Sequence, residues 1–442
     1  MILTIIVLGV VFAAILVRPG WILPFAWVVV MCYPQNLLYG KLPLNAGIDD
    51  LFLILASFVT FLRLFRHNGL GGHSRNLLII VFGLYLMQTL SELAGMMQYP
   101  SLGESTLKNS LKGLVVLAFI VALAMDIRRE KDVRRHAYWL TAAITFAFGI
   151  VIICYYVPAA AGLWEVRSTD TLYMLTMASN RAFGPFNGPA EVGGVACLAL
   201  PLIIGILLYC WHDMRIRIMM FISMLIILGG GVIISKSRSA MFGLGLMLAL
   251  ALILSRRRWY IIGLGSVVLL TLLYVLYKNV ISLVPISERF TSGVFQEGFF
   301  TRLDIWNTVI RNPPRNILVG GGSEALFENI GATPHNGYLD MFYCWGLFGV
   351  FMFSWLIYNC VKWSRRVLKQ DTFPLGRGIG WGLLWGLIAL AFASMTTDPW
   401  YMMLLRMLLF GTLVMVNSRY QMTRARTLRE TSRNRNIGLK NI

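Results

Sequence analysis

The chain is poor in charged residues. Asp, Glu, Lys and Arg make up only 13% of its 442 residues, and hydrophobic residues make up 57%. Soluble domains normally carry about 25% charged residues. A chain of this length with so few polar groups cannot cover itself with a water-compatible surface. This excludes a soluble protein of two or three domains and indicates a polytopic membrane protein.

Cysteine is also scarce, and its spacing excludes two common uses. The six cysteines are scattered through apolar segments, without the close pairs that zinc sites show. They are interpreted as small core residues, and no disulfide framework is predicted. The apolar runs also lack the strict alternation with polar residues that a membrane barrel requires, which favours helices over strands.

Apolar runs of roughly 16–22 residues recur along the chain, each about long enough to cross a bilayer as a helix. The predicted fold class is an all-α polytopic membrane protein of 12–13 transmembrane helices with a long, partly helical periplasmic loop. The first two segments are short, so that they form either two spans or one broken unit. The predicted spans are Ile2–Val17, Trp21–Tyr33, Ile48–Leu62, Leu77–Met97, Leu107–Met125, Tyr138–Val157, Glu191–Cys210, Ile216–Ile234, Ala240–Leu254, Trp259–Tyr277, Tyr338–Val361, Ile379–Thr397 and Trp400–Val416.

The net charge of +19 is explained by membrane topology. On this set of spans, 26 of the 39 basic residues but only 6 of the 20 acidic residues fall in loops and the tail on one side. Basic loops face the cytoplasm, so this side and the C terminus are predicted to be cytoplasmic. Nucleic-acid binding is not needed to explain the charge. The basic tail is predicted to be polar and disordered, with anionic headgroups as its expected contact.

The chain is therefore predicted to have four parts. Residues 1–277 hold the first ten spans, with a Gly/Pro-rich periplasmic loop at 158–190. Residues 278–337 form the long periplasmic loop, 338–416 the last three spans, and 417–442 the basic tail. Loops as long as 278–337 are usually functional or disordered, and this loop is too rich in apolar and aromatic residues to be disordered.

Three segments on the predicted outer side interrupt the apolar pattern. In the long loop, Thr301–Asn312 has the pattern of a short amphipathic helix that begins at a Thr301–Asp304 capping box and carries Arg302 beside an apolar stripe. The stripe consists of Ile305, Trp306, Val309 and Ile310. The second segment is the Gly/Pro-rich run that starts at Arg181. The third is Ser235–Ser239, in which two cations at membrane depth favour an anionic partner.

These segments resemble the signature of the O-antigen ligase and polymerase superfamily. The resemblance lies in Arg302 with Trp306, the Gly320–Gly322 triplet, the His335–Leu339 run and the Gly346–Gly349 run. Two upstream elements agree with it, namely Arg181–Pro189 and Ser235–Ala240. Where the family usually has Asn-Pro-Asn, this chain has Gly188, Pro189 and Ala190. The match runs from about Arg181 to Gly349, and the first 180 residues match only in hydropathy.

The resemblance implies a membrane glycosyltransferase of the GT-C type in the bacterial inner membrane, with its site on the periplasmic side. Such enzymes transfer a glycan from an undecaprenyl-pyrophosphate carrier to an acceptor sugar hydroxyl. In the family the histidine at the position of His335 acts as the base, and arginines at the positions of Arg238 and Arg302 hold the pyrophosphate. An acidic residue near the outer end of a late span is also implicated, and Asp398 is the nearest by position.

The chemistry of the residues agrees with this implication. Arginine binds phosphate oxygens bidentately, and Arg181, Arg238 and Arg302 lie on the predicted outer side together with Lys236. Histidine is the usual base near neutral pH, and His335 is the one histidine placed on that side. Asn336 and Tyr338, which follow the histidine, are weaker candidates. No metal and no cofactor is required by this scheme.

Structural interpretations remain open for each candidate. His335 precedes a predicted helix and could cap it, Arg238 could anchor a helix end at the headgroups, and Arg302 could pair with Asp304 or Glu297. The Gly320–Gly322 triplet fits a turn better than a phosphate cradle, since no P-loop lysine follows it. Asp398 precedes a proline and could form only a turn. Glu92, Glu191 and Asp340 are acids within or at the edge of spans and count as functional candidates by position.

Three functions remain possible on the sequence alone. A ligase would move the glycan to a lipid A-core acceptor, whereas a polymerase would move it to another carrier-linked unit, and a protein O-oligosaccharyltransferase is a further member of the same superfamily. A transporter or flippase of lipid-linked glycans is the alternative of another class. Transporters commonly show repeated halves with broken helices, and no internal repeat is evident here. The ligase is favoured, with undecaprenyl-pyrophosphate-linked glycan, a glycan acceptor and membrane lipids as the expected partners.

Overall fold

The fold is described from a computed structural model of the chain. The described residues are 21–32, 48–65, 75–100, 103–157, 160–161, 164, 184–186, 188–235, 237–254, 294–330, 335–395 and 403–438. They are helical almost throughout and include no strand, so the all-α polytopic fold predicted from the sequence is confirmed for this part of the chain.

Thirteen α-helices and one π-helical turn make up the described architecture. The π-helical turn, Gly229–Ile234, continues α7 directly. The helices are α1 Ile22–Cys32, α2 Ile48–Phe65, α3 Arg75–Gln98, α4 Gly103–Asp126, α5 Glu130–Tyr156, α6 Pro189–Tyr209, α7 Met214–Leu228, α8 Arg238–Leu254, α9 Val294–Arg311, α10 Ser323–Ile330, α11 Gly337–Gln370, α12 Pro374–Ala393 and α13 Met403–Gly438.

Seven of the described helices are long and apolar enough to cross a membrane, and three shorter apolar helices accompany them. The seven comprise α3 to α7, α11 and α12, with the π-helical turn counted as part of α7. The short ones lie within α1, α2 and α8. The predicted span at 400–416 corresponds to the first part of α13. The predicted spans Ile2–Val17 and Trp259–Tyr277 lie outside the described residues.

The bundle has two chemically different ends. At one end, Asp126 at the end of α4 and Asp371 at the end of α11 lie with Arg419 of α13 near the start of α12, among further basic residues. We call this the basic end. The opposite end carries the starts of α6, α8 and α11 and the glycine triplet, and we call it the motif end.

Helices α6 and α12 form the centre of the described bundle. Residues 191–208 of α6 are all buried, and α12 packs along it. The two backbones approach closely because glycines face the contact: a Cβ on Gly205 would collide with the carbonyl of Gly378, and one on Gly382 would collide with Leu202. Small residues at such spacing are the usual means by which membrane helices pack closely. This pair positions the helix ends on which the candidate site is built.

The tail departs from the prediction of disorder. Helix α13 continues without interruption to Gly438, through the basic segment that begins at Arg419. This segment contains no proline and no glycine before Gly438, and most of its residues favour helix. Because α13 is already formed within the bundle, extending it avoids the cost of nucleating a new helix.

Candidate functional site

The starts of two helices meet at the end of α12. At the start of α11, the Gly337 amide donates to the Ser394 carbonyl at 2.8 Å and the Tyr338 hydroxyl donates to the Ala391 carbonyl at 2.7 Å. At the start of α8, the ring of Phe242 packs edge-on to that of Phe392, with centroids 6.3 Å apart. The sequence segments around Arg238 and His335, about one hundred positions apart, therefore flank the same last turns of α12.

The segment around Arg238 forms a helix start directly after the π-helical turn. Ser235 is buried and donates to the Gly231 carbonyl, and its hydroxyl accepts from the Ser237 amide. The Ser237 hydroxyl in turn accepts from the Ala240 amide at 3.4 Å. A helix start presents amide donors and a partial positive charge, which favour an anion. Arg238 is the first residue of α8, and its side chain lies outside the described set.

Gly193 brings this helix start against α6. A Cβ at Gly193 would collide with the Ser237 hydroxyl, so the first turn of α8 lies directly on the first turns of α6. Glu191, a predicted candidate acid, is buried two residues before Gly193. π-Helical turns such as the one before Ser235 are rare and often mark functional positions.

His335 occupies a strained and exposed position. Its φ is +48°, and it is the one non-glycine residue with a positive φ in the part of the chain that the structure describes. Strain of this kind persists only where surrounding contacts hold it, and it is common at functional sites. The contacts come from the next residues: Asn336 caps α11 by accepting from the amides of Tyr338 and Leu339 at 3.1 and 3.2 Å.

The two weaker candidates beside the histidine have structural contacts. The Asn336 side chain oxygen is engaged by the α11 amides, and the Tyr338 hydroxyl is engaged by α12. Both residues thus hold the turn that carries His335. The sequence left open that His335 caps α11. The capping residue is Asn336, and His335 lies one position before it.

Arg302 lies on a helix that is longer than predicted. Helix α9 begins at Val294, so Thr301 is in its interior and the predicted Thr301–Asp304 capping box is wrong as a helix start. The local pattern at Thr301–Asp304 lies inside this longer helix and does not mark its start. Arg302 is half-buried, Val309 is fully buried, and Ile310, predicted to belong to the apolar stripe, is 62% exposed. Helix α9 packs on α10 and α11 and so places Arg302 at the motif end.

The glycine triplet is a turn packed on a kink in α11. Gly320 and Gly322 have φ of +85° and +83°, and Gly346, within α11, has φ of +64°. The Gly321 and Gly322 amides donate to the carbonyls of Tyr343 and Cys344 at 3.0 and 3.1 Å. Because these amides are used by the backbone of α11, the triplet serves as a turn and its amides do not form a phosphate cradle.

Ser91 and Glu92 of α3 hold the glycine turn from its other side. The Ser91 hydroxyl donates to the Cys344 carbonyl and accepts from the Gly322 amide at 3.0 Å. Glu92 is 2% exposed, and its carboxylate accepts from the Ser323 hydroxyl at 2.7 Å. Sequence reasoning found Glu92 only as an acid within a span and missed Ser91. The partner of each lies more than two hundred positions away, so no local pattern signals the pairing.

Three predicted site residues lie outside the described residues. These are Arg181, Lys236 and Asp398. The described residues that follow Arg181 are Gly184, with φ of +53°, and Phe186, whose ring lies 5.3 Å from that of Phe148 in α5. The structure therefore brings together the helix starts beside Arg238 and His335, with α9 and its Arg302 packed on the same helix as His335.

The fold and the site together define the class of protein. This is an all-α, multi-pass membrane protein whose motif end joins two helix starts, a strained histidine and an amphipathic loop helix with a half-buried arginine. Intramembrane and membrane-edge polar clusters of this kind mark substrate sites.

A comparison with protein-family models shows one similarity, in the second half of the chain. Residues 223–354 match the model described as O-antigen ligase. The matched range begins in α7 and contains Ser235–Ser239, α8, α9, the glycine turn, His335 and the kink of α11. The match covers less than half of the chain, and it supports the resemblance to the O-antigen ligase and polymerase superfamily that the sequence motifs indicate. It supports a glycosyltransferase-like enzyme of this kind that acts on glycan and lipid-linked substrates. No curated protein matches the chain.

Proposed function

We propose that the protein is an O-antigen ligase of the bacterial inner membrane. It transfers a glycan from undecaprenyl pyrophosphate to a sugar hydroxyl of lipid A-core on the periplasmic face, which is the motif end. The observation that carries this proposal is the meeting of the α8 and α11 starts on the end of α12, within the segment that matches the family. This arrangement supports a single site with both an anion-binding part and a base.

In the proposed reaction His335 removes the proton of the acceptor hydroxyl. The acceptor oxygen attacks the anomeric carbon of the donor sugar, and the bond from that carbon to the pyrophosphate oxygen breaks. Undecaprenyl pyrophosphate leaves with the electron pair. A positioned base of this kind contributes about 10²–10⁴-fold to the rate. The exposed position of His335 suits a base that must reach an incoming acceptor.

The proposed pyrophosphate ligands are Arg238 and Arg302, with Arg181 and Lys236 as further cations. Guanidinium groups stabilise the charge that develops on the leaving pyrophosphate, and they act strongly in a site with little water. The amide donors at the start of α8 add to this stabilisation. No metal is part of the proposal, so transfer is expected to persist in a chelator. Asp398 is a proposed acidic contact for the acceptor.

Arg302 can be tested against a matched residue on the same helix. Arg302→Gln is expected to lower the rate of transfer at least about tenfold, because a charge-assisted contact contributes about 1.5–3 kcal/mol. Arg311→Gln removes an exposed arginine from the end of α9 and is expected to leave transfer unchanged. The measurement is initial transfer rate in proteoliposomes. Equal rates for the two variants would contradict the proposed role.

The choice between ligase and polymerase is tested by the product. Purified protein is incubated with an undecaprenyl-pyrophosphate-linked glycan and either lipid A-core or a second carrier-linked unit. A ligase yields glycan on lipid A-core. A longer carrier-linked glycan would identify a polymerase, a glycosylated protein acceptor in a third incubation would identify a protein O-oligosaccharyltransferase, and release into the lumen without transfer would favour a transporter.

A further inference from the structure

Part of the long loop replaces hydrogen bonds that α11 loses at its kink. In an unbroken helix the amides of Leu347 and Phe348 would donate to the carbonyls four residues earlier, but α11 is interrupted at Gly346. These two amides donate instead to the carbonyls of Ile317 and Leu318, at 2.9 and 3.1 Å. The freed carbonyls of α11 accept from amides of the glycine turn, at 3.0 and 3.1 Å. The loop therefore completes the backbone of α11 on both sides of the kink.

We call residues 316–322 the inserted segment. Each of its amides from Leu318 to Gly322 donates to an acceptor in the protein. The Asn316 side chain accepts from Leu318 and Val319 at 3.2 Å each, and the Asn316 carbonyl accepts from Gly320 at 2.7 Å. The last two amides are those that donate to α11. Backbone outside a helix can lie at membrane depth only where its polar groups are satisfied within the protein, and these five amides meet that condition.

The side chains of the inserted segment extend an exposed apolar surface of α11. Ile317 and Leu318 are about half exposed, and so are Leu347 and Phe348, to which they bond. The same surface continues along α11 at helical spacing, through Phe351, Trp355 and Tyr358. Helix α11 is long and apolar enough to cross the membrane, so an exposed apolar stripe on it faces acyl chains.

The depth of the inserted segment follows from the charges of α11. The first charged residue after the kink is Lys362, 15 positions after Leu347. This separation is about 22 Å at the rise of an α-helix. The hydrocarbon core is about 30 Å thick, so with Lys362 at the boundary of the basic end, Leu347 lies about 8 Å inside the opposite boundary. Ile317 lies at the same depth, because its carbonyl accepts from the Leu347 amide.

Cations lie next to the inserted segment on the side of α9. Arg311, the last residue of α9, and Arg315 are both exposed. Arginines beside an apolar surface extend their charged ends to the headgroup level, where phosphates are available. A second copy of the chain would bring like charges together at this surface, whereas phospholipid supplies both acyl chains and anions.

We propose that the inserted segment enters the hydrocarbon core of the bilayer at the motif end, with Ile317 and Leu318 against phospholipid acyl chains. The long loop, predicted to be periplasmic throughout, is then partly embedded in the membrane. Because the segment follows α9 closely, its insertion also anchors the end of the helix that carries Arg302. The inference concerns how the loop is held and does not depend on the chemistry of the proposed function.

The test is site-directed spin labelling of the full-length protein in proteoliposomes. Nitroxides are attached in Ile317→Cys and Leu318→Cys, and relaxation by oxygen, which enters hydrocarbon, is compared with relaxation by a water-soluble nickel complex. Oxygen is expected to have the larger effect at both positions. Phe351→Cys is the control for lipid and Asn312→Cys, which is exposed after α9, the control for water. Wild-type protein gives the background of the native cysteines, which are buried or half-buried.

A second measurement needs no label. Leu318→Asp would place a carboxylate in hydrocarbon, so it is expected to lower the apparent Tm in proteoliposomes by several degrees. Leu428→Asp changes a similarly exposed leucine in the part of α13 beyond the basic end. Its Tm is expected to stay close to that of the wild type, because water can solvate the new charge.

Three results would overturn the proposal. A larger effect of the nickel complex than of oxygen at positions 317 and 318 would place the segment in water. Weak effects of both reagents would place it under protein, such as a second copy of the chain. A Tm of Leu318→Asp no lower than that of Leu428→Asp would show that this side chain does not face hydrocarbon. None of these readouts depends on glycan transfer, so failure here and failure of the ligase proposal are distinguishable.

Discussion

At the scale of single residues, the motif end depends on polar side chains that act on backbone groups. Ser91 and Glu92 hold the glycine turn and the start of α10, and Asn336 holds the start of α11. In each case a side chain accepts hydrogen bonds from donors at a turn or a helix start. In the proposed reaction these residues position the site, and the chemistry is assigned to His335 and the arginines.

Glu92→Leu is expected to destabilise the protein by about 1–3 kcal/mol, because the Ser323 hydroxyl and amide lose a buried acceptor. The transfer rate is expected to fall as well, since the glycine turn lies on α11 ten residues from His335. Apparent Tm and transfer rate are measured together. Glu328→Leu changes an exposed glutamate of α10 and serves as the control. Equal stability of the two variants would show that Glu92 does not hold the turn.

The limits of local sequence reasoning are clear at this scale. Thr301 and Asp304 have the spacing of a helix start, yet α9 begins seven residues earlier, so this spacing does not mark where the helix starts. His335 and Arg302 are candidates because a family resemblance adds information that spacing alone lacks, and their roles stay predictions. Ser91 could not be found, because its role exists only once α3 packs against α11.

At the scale of elements, close packing of α6 and α12 sets where the helix starts of the motif end lie. Glycines at four-residue spacing in α12, Gly378, Gly382 and Gly386, face α6, and Gly205 faces them from the other side. Their small size lets the two backbones touch. The run of glycine and tryptophan from 376 to 386 predicts an apolar span, but the helix that the glycines face is not evident from the run itself.

Gly382→Leu is expected to force α6 and α12 apart and to destabilise the protein by at least about 1–3 kcal/mol, the usual effect of overpacking. The change would also move the end of α12 on which the α8 and α11 starts rest. Thermal unfolding in detergent and the transfer rate are the measurements. Gly149→Leu adds equal bulk in open space; if it were as damaging as Gly382→Leu, tight packing at this contact would not be the cause.

At the scale of the whole molecule, the basic end is closed by an ion-pair network around the buried pair Arg419–Asp371. Arg419, which is 2% exposed, pairs with Asp371 at 2.5 Å and with Glu130 at 2.9 Å, and its guanidinium stacks on Phe373 at 4.6 Å. The network joins α13 to the α11–α12 connection and to α5. It lies at the opposite end from the candidate site and therefore serves the bundle as a whole.

Arg419→Met is expected to destabilise the protein by about 3–5 kcal/mol, because Asp371 would remain buried without its partner. The double variant Arg419→Met with Asp371→Asn is expected to recover part of this loss, since no uncompensated charge remains buried. Arg429→Met, an exposed position of the same helix, is the control. A fall in Tm no larger than that of the control would show that the pair does not close the basic end.

The overall plan of the molecule follows from local properties of the sequence. A helical bundle is predicted by the length and apolar character of the spans and by the glycine and proline residues in the turns. Hydropathy is a property of each segment alone. The tail differs, because its polar composition predicts disorder whereas its attachment to α13 extends a helix that already exists. Contacts between distant segments, such as those of Ser91 and Glu92 with the glycine turn and α10, require the assembled bundle.

The central claim is that the motif end holds a transfer site in which His335 is the base. The most direct measurement is the single-turnover rate of glycan transfer in proteoliposomes for His335→Ala, beside His212→Ala, which removes an exposed histidine at the basic end. We expect His335→Ala to lower the rate at least about 100-fold with donor binding retained, and His212→Ala to match the wild type. A near wild-type rate in His335→Ala would contradict the account.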